Sequence, residues 1–331
     1  MDINERSTVW MAIVNVFAAS KKAAAMWDKT EMLLKQREVP FRYRRTGRGG
    51  NAMELTFDSC VSGYRKFIAV GGDGTVHDVL NGIASFIEWK AETGNRVPFS
   101  DFTIGVLPLG SGNDWIKSSG IPNNMGKAVD LIVSESYARQ DVVRVTILDP
   151  SDQKGERQLA VSYMMNVGGI GIDARVCERV NVAKSHGKKG KKLYVSALLH
   201  AIRHRVPAYA RVVCDGVRVF DGAYLSMAFG VGKYSGGGMR QTPAAVLDDG
   251  LLDMTIIPDL PLIRIAREVP RLFTGSFLKV PELVVSKSRT ITVYPYGSAV
   301  SEPVEVDGEV VGKAPVRFEV LDSQVNIISK S

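Results

Sequence analysis

Two glycine-rich segments, GGDGT at residues 71–75 and PLGSGND at residues 108–114, each follow a short apolar run. Glycines let backbone N–H groups approach a ligand closely, and a turn from strand to helix directs those groups outward at the positive end of the helix. Phosphate binds well in that geometry. Asp73 adds a carboxylate that could orient a metal or a donor. Thr75 adds a hydroxyl that could cap the helix or reach a phosphate.

Each segment alone also has a plainer interpretation, a tight strand-to-helix turn for the first and a helix cap for the second. In the second segment Ser111 and Asn113 offer neutral hydrogen bonds and Asp114 offers a carboxylate. Two such loops at one edge of a sheet favour a nucleotide pocket over the plainer interpretation. Neither segment ends in Gly-Lys-Ser or Gly-Lys-Thr, so the pocket would not be a Walker A loop.

The elements that must position these loops alternate between strand and helix. Apolar runs predict strands at residues 9–16, 41–45, 66–70 and 103–107, and helical spacing predicts helices at residues 21–36, 52–62, 76–88 and 127–134. This alternation predicts an α/β domain with a mostly parallel, doubly wound sheet. Ligands on such sheets bind beyond the carboxyl ends of the strands, where both glycine-rich segments fall.

After about residue 141 the pattern changes to short strands separated by turns. Strand-like runs lie at residues 142–148, 158–167, 208–214, 217–220, 224–231, 251–257, 282–286 and 290–294, and only residues 193–205 have a strongly helical pattern. We expect a nucleotide-binding α/β domain at residues 1–140 and an antiparallel β-rich sandwich domain at residues 141–314. A last strand at residues 316–321 could belong to either domain, and residues from about 315 to 331 could pack back on the first.

Composition limits the class of protein. The chain has 331 residues, 45% of them hydrophobic and 23% charged, with a net charge of +7, which is typical of a globular protein of two domains. A basic surface suits an anionic partner such as a nucleotide, a nucleic acid or a membrane. Basic and aromatic residues do not interleave as in RNA-binding sheets, so we expect no nucleic-acid partner.

The cysteines and the apolar runs bear on the compartment. The three cysteines have no CxxC spacing, which disfavours a disulfide framework and a zinc site and fits a reducing cytoplasm. The apolar run at residues 9–19 has no cleavage pattern and is interpreted as a buried strand. No run of about twenty apolar residues occurs, so we expect no membrane span.

Four motifs, taken in order, resemble those of the diacylglycerol kinase catalytic-domain family, which includes soluble bacterial diacylglycerol kinases and sphingosine kinases. GGDGTVHDVLNG at residues 71–82 resembles the family hallmark, and residues 108–114 resemble its Pro-x-Gly-Thr-x-Asn-Asp segment. PAAVLDDGLLD at residues 243–253 and VDGE at residues 306–309 are similar to its Asp-Asp-Gly and Asp-Gly-Glu segments. NAD kinases share the wider superfamily, and the last two motifs point to the lipid kinases. The sequence departs from the family pattern at Val16, where proline is usual.

The resemblance implies ATP and Mg²⁺ as cofactors and a set of residues for each. The implied ATP contacts are Asn15, Val16, Phe17, Ala18, Ala19, Thr46, Gly72, Asp73, Gly74, Thr75, Val76, His77, Asp78, Ser111, Asn113 and Asp114. The implied magnesium ligands are the Asp249 side chain and the backbone carbonyls of Val246 and Leu251, oxygen donors of the kind a hard cation prefers. A plain β-turn is the alternative for the Asp-Gly step at this position.

Asp307 and Glu309 are the candidates for the general base, and Asp73 is the third predicted catalytic residue. Phosphoryl transfer needs the acceptor hydroxyl in line, and a carboxylate within hydrogen-bond reach can receive its proton. If residues 306–309 are a strand, the period of two places Asp307 and Glu309 on one face. The alternative is an Asp-Gly turn between two strands. The resemblance allows either carboxylate to be the base, with Asp73 and Asp114 positioning magnesium or water around the phosphates.

We therefore predict an ATP-dependent lipid kinase that phosphorylates the hydroxyl of a diacylglycerol-like or sphingoid lipid in a cleft between its domains. One alternative is an NAD kinase or another small-molecule kinase of the superfamily. The other is a membrane-surface lipid-binding protein without catalysis.

Residues 184–205 are basic, contain no acidic residue and have an apolar side, which predicts docking on an anionic membrane. A solvated loop and a helix packed on its own sheet are the alternative. The predicted location is therefore cytoplasmic and peripheral at the inner membrane surface, and a homodimer stays open. His200 and His204 are four residues apart but no third ligand is evident nearby, so we expect no metal there.

Overall fold

The computed structural model describes residues 3–15, 22–47, 50–109, 113–152, 155–185, 191–297 and 302–330. By their contacts the residues form two compact units. The first comprises residues 1–141 together with the C-terminal residues 323–331, and the second comprises residues 142–322.

Helices and strands alternate along the first 140 residues, and strands predominate after them. In chain order, the helices are α1 (Ile3–Arg6), α2 (Lys22–Gln36), α3 (Ala52–Val61), α4 (Asp73–Glu92), α5 (Asp114–Ser118), α6 (Met125–Ser134), α7 (Ile172–Ser185), α8 (Lys191–Arg203) and α9 (Leu262–Leu272). The strands are β1 (Trp10–Val14), β2 (Phe41–Arg45), β3 (Lys66–Gly71), β4 (Thr103–Pro108), β5 (Tyr137–Gln140), β6 (Val143–Leu148), β7 (Gln158–Met164), β8 (Val167–Gly171), β9 (Ala208–Cys214), β10 (Val217–Gly230), β11 (Leu252–Pro258), β12 (Val284–Ser288), β13 (Thr290–Tyr296), β14 (Pro303–Val306), β15 (Glu309–Lys313), β16 (Val316–Val320) and β17 (Val325–Ile328).

Among the described residues, the first unit is built on a six-stranded sheet in the order β2-β1-β3-β4-β17-β5, in which β5 alone runs antiparallel to its neighbour. Trp27 of α2 and Ile132 of α6 pack with Trp10 and Ile68 in an apolar core on one face. Helices α3 and α4 pack on each other and on β1 and β3. Strands covered on both faces are apolar along their length, as β1 and β3 are. The predicted doubly wound, mostly parallel sheet is confirmed.

The end of the chain contributes to both units. Strand β16 pairs with β6 and β13 in the second unit, whereas β17 lies between β4 and β5 of the first. Sequence analysis did not predict β17. It is only four residues long, but Val325, Ile327 and Ile328 are buried, and Asn326 Nδ2 donates to the carbonyl of Ser100 at 2.7 Å.

The second unit is built on an antiparallel sheet of eleven strands among the described residues. Its path is β15-β14-β8-β10-β9-β13-β16-β6-β7, with β11 paired to β10 and β12 paired to β11. An apolar core lies along it, in which the rings of Phe229 and Phe318 stack with centroids 4.4 Å apart. The predicted antiparallel β-rich domain is confirmed.

Two predictions of local structure in this unit were wrong. Strand β10 is continuous where sequence analysis expected two strands. The side chain of Asp221 accepts hydrogen bonds from Arg211 of the adjacent β9 at 3.2 Å and from Tyr296 of β13, the next strand along, at 2.7 Å, so this charged residue is accommodated within the strand. Helices α7 and α9 were also missed. Ile172, Val176 and Val180 recur every four residues in α7 and are buried, so helical spacing was present behind the charged residues between them.

Candidate active site

The first glycine-rich segment connects the end of β3 to the start of α4. Gly72 is the N-cap of α4, and its carbonyl accepts the N–H groups of Thr75 and Val76 at 2.9 and 3.2 Å. A Cβ at Gly71 would overlap the hydroxyl of Thr75, so the turn requires glycine there. The turn therefore closes tightly and leaves the positive end of a 20-residue helix at the edge of the sheet.

Asn15, directly after β1, is tied to this turn. Its side-chain amide donates to Oγ1 of Thr75 at 3.2 Å, and its backbone N–H donates to the carbonyl of Val70 at 3.0 Å. The structure thus brings together Asn15 and Thr75, two predicted ATP contacts that are 60 residues apart. Ends of parallel strands meet at one edge of a sheet, which is why residues so far apart can share a site.

Asp73 joins the two glycine-rich segments. Its carboxylate accepts the backbone N–H of Asp114 at 3.0 Å and that of Trp115 at 3.3 Å, so it caps the start of α5. Strands β3 and β4 lie side by side, and Gly71 is in register with Pro108. Asp73 therefore has a positioning role that sequence analysis did not predict, because it depends on this register.

Thr46 follows β2 and is the next predicted ATP contact. Its backbone N–H donates to the carbonyl of Val14 at 3.0 Å, and its side chain is buried. Its hydroxyl Oγ1 has no hydrogen-bond partner within the part of the chain that the structure describes. A buried hydroxyl without a partner is costly, and the predicted contact of Thr46 with ATP stays a prediction.

The remaining predicted ATP contacts fall into two groups. Val76 and His77, in the first turns of α4, have buried side chains, whereas Asp78 is half-buried. Asn113 adopts the left-handed conformation just before α5 and is buried. The residues Val16, Phe17, Ala18, Ala19 and Ser111 lie outside the described residues, so their predicted roles stay predictions.

In the second unit, Asp307 and Gly308 form a two-residue turn between β14 and β15. Val306 pairs with Glu309 across the hairpin, and φ is 52° at Asp307 and 90° at Gly308. Positive φ at both central residues is typical of the hairpin turns that fit the twist of the strands. The expectation that Asp307 and Glu309 alternate along one strand was therefore wrong, and the Asp-Gly turn is the correct alternative.

The turn is held from both sides. The carboxylate of Asp307 accepts the backbone N–H groups of Met165 and Asn166 at 3.1 and 3.0 Å. The N–H of Gly308 donates to Glu305 Oε2 at 3.0 Å, and its carbonyl accepts the side-chain amide of Asn181 at 2.9 Å. Asp307 is buried and Glu309 is exposed. The two candidate bases therefore differ in environment: Asp307 is anchored to backbone, and Glu309 faces solvent.

Two carboxyl groups that sequence analysis missed lie beside this turn, the buried Glu305 and the half-buried Asp173. Burial raises the pKa of Glu305 well above its usual range, and the nearby Asp173 raises it further. Burial also raises the pKa of Asp173 to about 6, against the lowering effect of hydrogen bonds from Ser226 and Gln241. Glu305 stands two residues before Asp307, which is the signal that could have drawn attention to it.

An apolar cavity with an empty volume of about 760 Å³, its open mouth included, lies within the second unit. Leu198 and Ile202 of α8 and Ile265 of α9 line it, and Asp173 supplies a polar group in its wall. Sequence analysis did not find this cavity, because its lining comes from distant elements and consists mostly of ordinary apolar residues. A mostly apolar lining with a few polar groups is typical of small-molecule sites.

The predicted magnesium site has a different arrangement from the one expected. Asp249 Oδ1 accepts a hydrogen bond from the backbone N–H of Leu251 at 3.1 Å. Asp249 Oδ2 accepts one from the ammonium group of Lys287, also at 3.1 Å. Both oxygens of the single predicted carboxylate ligand are thus engaged, and a positive charge already lies against it. These residues, as arranged, do not fit a magnesium ion, and Val246 is an exposed residue of the preceding turn.

Within the described residues there is no group of three or more histidine, cysteine, aspartate or glutamate side chains arranged to hold a metal. The rings of His200 and His204 stack on each other with centroids 4.2 Å apart. Across the same part of the chain, none of the helices has both the length and the apolar character needed to cross a membrane.

Comparison with known proteins places the chain in a family. Residues 9–145 match the family model "Diacylglycerol kinase catalytic domain", and residues 166–329 match "YegS C-terminal NAD kinase beta sandwich-like domain". Among relatives, the diacylglycerol kinase of Staphylococcus carnosus (strain TM300) is 24% identical over 299 residues, 90% of this chain and 88% of that protein. The protein named "Probable lipid kinase YegS-like" of Xanthomonas axonopodis pv. citri (strain 306) is 26% identical over 302 residues, 89% of this chain and 88% of that protein.

A solved structure has the same fold along the whole chain. The crystal structure of a diacylglycerol kinase from Bacillus anthracis str. Sterne superposes with a TM-score of 0.68 at 20% identity, covering 98% of this chain and 97% of that one. The first family model contains the motifs at residues 71–82 and 108–114, and the second contains those at residues 243–253 and 306–309. With its catalytic-domain match followed by the YegS-type domain, the chain belongs to the diacylglycerol kinase family.

Proposed function

We propose that the protein is an ATP-dependent lipid kinase that transfers the γ-phosphate to the hydroxyl of a diacylglycerol-like or sphingoid lipid. The chain belongs to a family whose members are named as lipid kinases, which supports the class of reaction. The observation that carries the lipid part of the proposal is the apolar cavity of the second unit. Each buried methylene of an acyl chain would contribute about 0.8 kcal/mol to binding there.

The first unit supplies the nucleotide site in this proposal. The phosphates bind the N–H groups at the start of α4, between Gly72 and Thr75, because the helix terminus and the glycines favour an anion. The buried hydroxyl of Thr46 donates to the nucleotide. Asp73 keeps the second glycine-rich segment in place through the start of α5. Mg²⁺ bound to the phosphates would neutralise part of their charge.

The second unit supplies the acceptor and the base. We assign Glu309 as the carboxylate that receives the proton of the lipid hydroxyl, since it is exposed. Asp307 positions the turn that carries Glu309, because its oxygens accept two backbone N–H groups. Burial raises the pKa values of Glu305 and Asp173, which disfavours the accumulation of negative charge around this turn.

The lipid must reach the cavity from a membrane, so we propose that the protein works at the inner membrane surface. Leu199 and Val195 of α8 are exposed, whereas Leu198 and Ile202 of the same helix line the cavity. Residues 184–205 carry basic and no acidic side chains, which favours anionic lipid. Sedimentation with anionic vesicles at low and high salt tests this, and equal binding to neutral vesicles would contradict it.

The test of the function uses γ-labelled ATP with Mg²⁺ and one acceptor at a time: vesicles with diacylglycerol, vesicles with a sphingoid base, or NAD in solution. We expect label in the extracted lipid and none in NAD. Label in NAD alone would assign the chain to a different reaction of the same superfamily. Binding to vesicles without transfer to any lipid would instead indicate a non-catalytic lipid-binding protein.

A further inference from the structure

Lys287 of β12 lies between two carboxylates of the second unit. Its Nζ is 3.1 Å from Asp249 Oδ2 and 3.1 Å from Asp253 Oδ2. Asp253 of β11 is the direct cross-strand partner of Lys287, and Asp249 belongs to the turn just before β11. The antiparallel register of β11 and β12 therefore brings this ammonium group to the Asp-Asp-Gly turn, which no spacing along the chain would indicate.

The ammonium group of Lys287 stabilises carboxylates that are partly or almost fully buried. The Asp253 side chain is only 3% exposed and the Asp249 side chain is 27% exposed. A buried carboxylate needs a nearby positive charge, and a lysine ammonium can donate to more than one acceptor. Lys287 thus forms an ion pair with Asp253 and, at the same time, ties the preceding turn to strand β12 through Asp249.

A divalent metal and this ammonium group compete for one carboxylate. Magnesium requires near-octahedral oxygen ligands at about 2.0–2.1 Å. Asp249 Oδ1 already accepts the N–H of Leu251, and Lys287 Nζ lies at Oδ2. A metal bound at either oxygen would lie a few ångströms from this ammonium group, and the charge repulsion at that distance favours the loss of one of the two cations.

We propose that the ammonium group of Lys287 is the cation of the Asp249 turn in this chain, in place of a bound divalent metal. The lysine is attached to the adjacent strand, so it is always present at high effective concentration. A metal held by one carboxylate and backbone carbonyls would have to displace it from solution. The second unit therefore keeps this turn in place without magnesium, and the ion is needed only with the nucleotide.

The test measures Mn²⁺ binding to the nucleotide-free protein by electron paramagnetic resonance, with thermal unfolding in EDTA and in millimolar Mg²⁺. We expect the wild-type protein and Asp249→Asn to bind the same amount of Mn²⁺, because the wild type has no Mn²⁺ site at Asp249. We also expect that neither EDTA nor Mg²⁺ changes the Tm of the wild type. We expect Lys287→Ala to lower the Tm by about 2–8 °C, to gain one Mn²⁺ site, and to recover stability with the metal. Lys279→Ala, an exposed lysine of the same unit, is the control and should behave as wild type.

Two results would overturn the proposal. One is a Mn²⁺ site in the wild-type protein that Asp249→Asn loses. This comparison does not depend on whether Lys287→Ala folds. The other is a folded Lys287→Ala that gains no Mn²⁺ site dependent on Asp249. A Lys287→Ala protein that folds only with the metal would support the proposal. None of these measurements involves kinase activity, so they can succeed or fail independently of the proposed function.

Discussion

The carboxylate of Asp73 accepts the backbone N–H of Asp114 at 3.0 Å, so the first residue of α4 holds the first residue of α5. Each glycine-rich segment ends in a helix, and this bond fixes the two helix starts relative to each other. A carboxylate at the start of one helix thus has two effects. It favours that helix electrostatically, and it satisfies N–H groups of the other that would lack intrahelical partners.

Asp73→Ala should reduce lipid phosphorylation by about 10²-fold or more, because the second segment loses its anchor and the site loses a carboxylate. Two backbone N–H groups lose their acceptor, so we also expect a stability loss of about 1–3 kcal/mol. Asp73→Asn keeps one acceptor oxygen and should fall between alanine and wild type in stability. Initial rates with labelled ATP and urea unfolding measure both effects. Unchanged turnover in a folded Asp73→Ala protein would show that Asp73 has no part in the reaction.

Glu309→Gln and Asp307→Ala separate the base from the residue that positions it. Glu309 is exposed, so its substitution should leave the Tm unchanged and lower kcat by about 10²–10⁴-fold. Asp307 holds the N–H groups of Met165 and Asn166, so Asp307→Ala should lower stability by about 1–3 kcal/mol along with activity. The measurements are kcat at saturating ATP and urea unfolding. If Glu309→Gln keeps full turnover while Asp307→Ala is stable but inactive, then Asp307 and not Glu309 is the general base.

Local sequence was sufficient for the first four strands of the first unit, from β1 to β4, and for its glycine-rich turn, but not for β5 and β17. The pattern from strand to GGDGT to helix encodes a turn whose geometry depends on neighbours within five residues, such as Gly71 and Thr75. The anchor from Asp73 to Asp114 depends instead on the pairing of β3 with β4, which motifs do not specify. The same reason explains why Lys287 was overlooked beside Asp249, since the two meet only through the register of β11 and β12.

The Asp-Gly-Glu motif was misread for a local reason. Period-two alternation holds only inside a strand, and Asp-Gly is also the strongest two-residue signal for a hairpin turn. The turn prevails because Gly308 accepts positive φ at no cost and the Asp307 side chain finds two backbone donors. No local sequence pattern could predict the cavity, because the residues that line it are spread along the chain from Ile172 to Leu283.

Glu305 should make the second unit less stable as the pH rises. Its folded pKa is raised, so the folded state keeps a proton that the unfolded chain releases above about 4.3. The stabilising effect is complete below that value and is lost as the pH rises toward and through the raised folded pKa. Asp173 behaves in the same way between its ordinary pKa, about 3.9, and its folded value of about 6.

Glu305→Gln and Asp173→Asn keep the size of the side chains and remove the titration. We expect urea unfolding of wild type to show stability falling as the pH rises from about 4 to 6 and above. Asp173→Asn should reduce this slope only below about pH 6, whereas Glu305→Gln should reduce it from about pH 4 upward. Slopes that are identical in wild type and both variants would mean that the two groups are ionised in the folded protein.

Filling the cavity should weaken lipid binding without affecting ATP. Leu198 of α8 lines the cavity, and the adjacent Leu199 is exposed, so Leu198→Trp and Leu199→Trp form a matched pair. Each methylene of the lipid that the new indole displaces removes about 0.8 kcal/mol, or about fourfold in affinity, so the loss of two methylenes raises KM by roughly tenfold or more. We expect Leu198→Trp to show this rise for long acyl chains, a smaller rise for short ones, and an unchanged KM for ATP. Leu199→Trp should keep the wild-type dependence on chain length. Equal effects of both substitutions would mean that the acyl chain binds outside the cavity, because Leu198 lines the cavity and Leu199 does not.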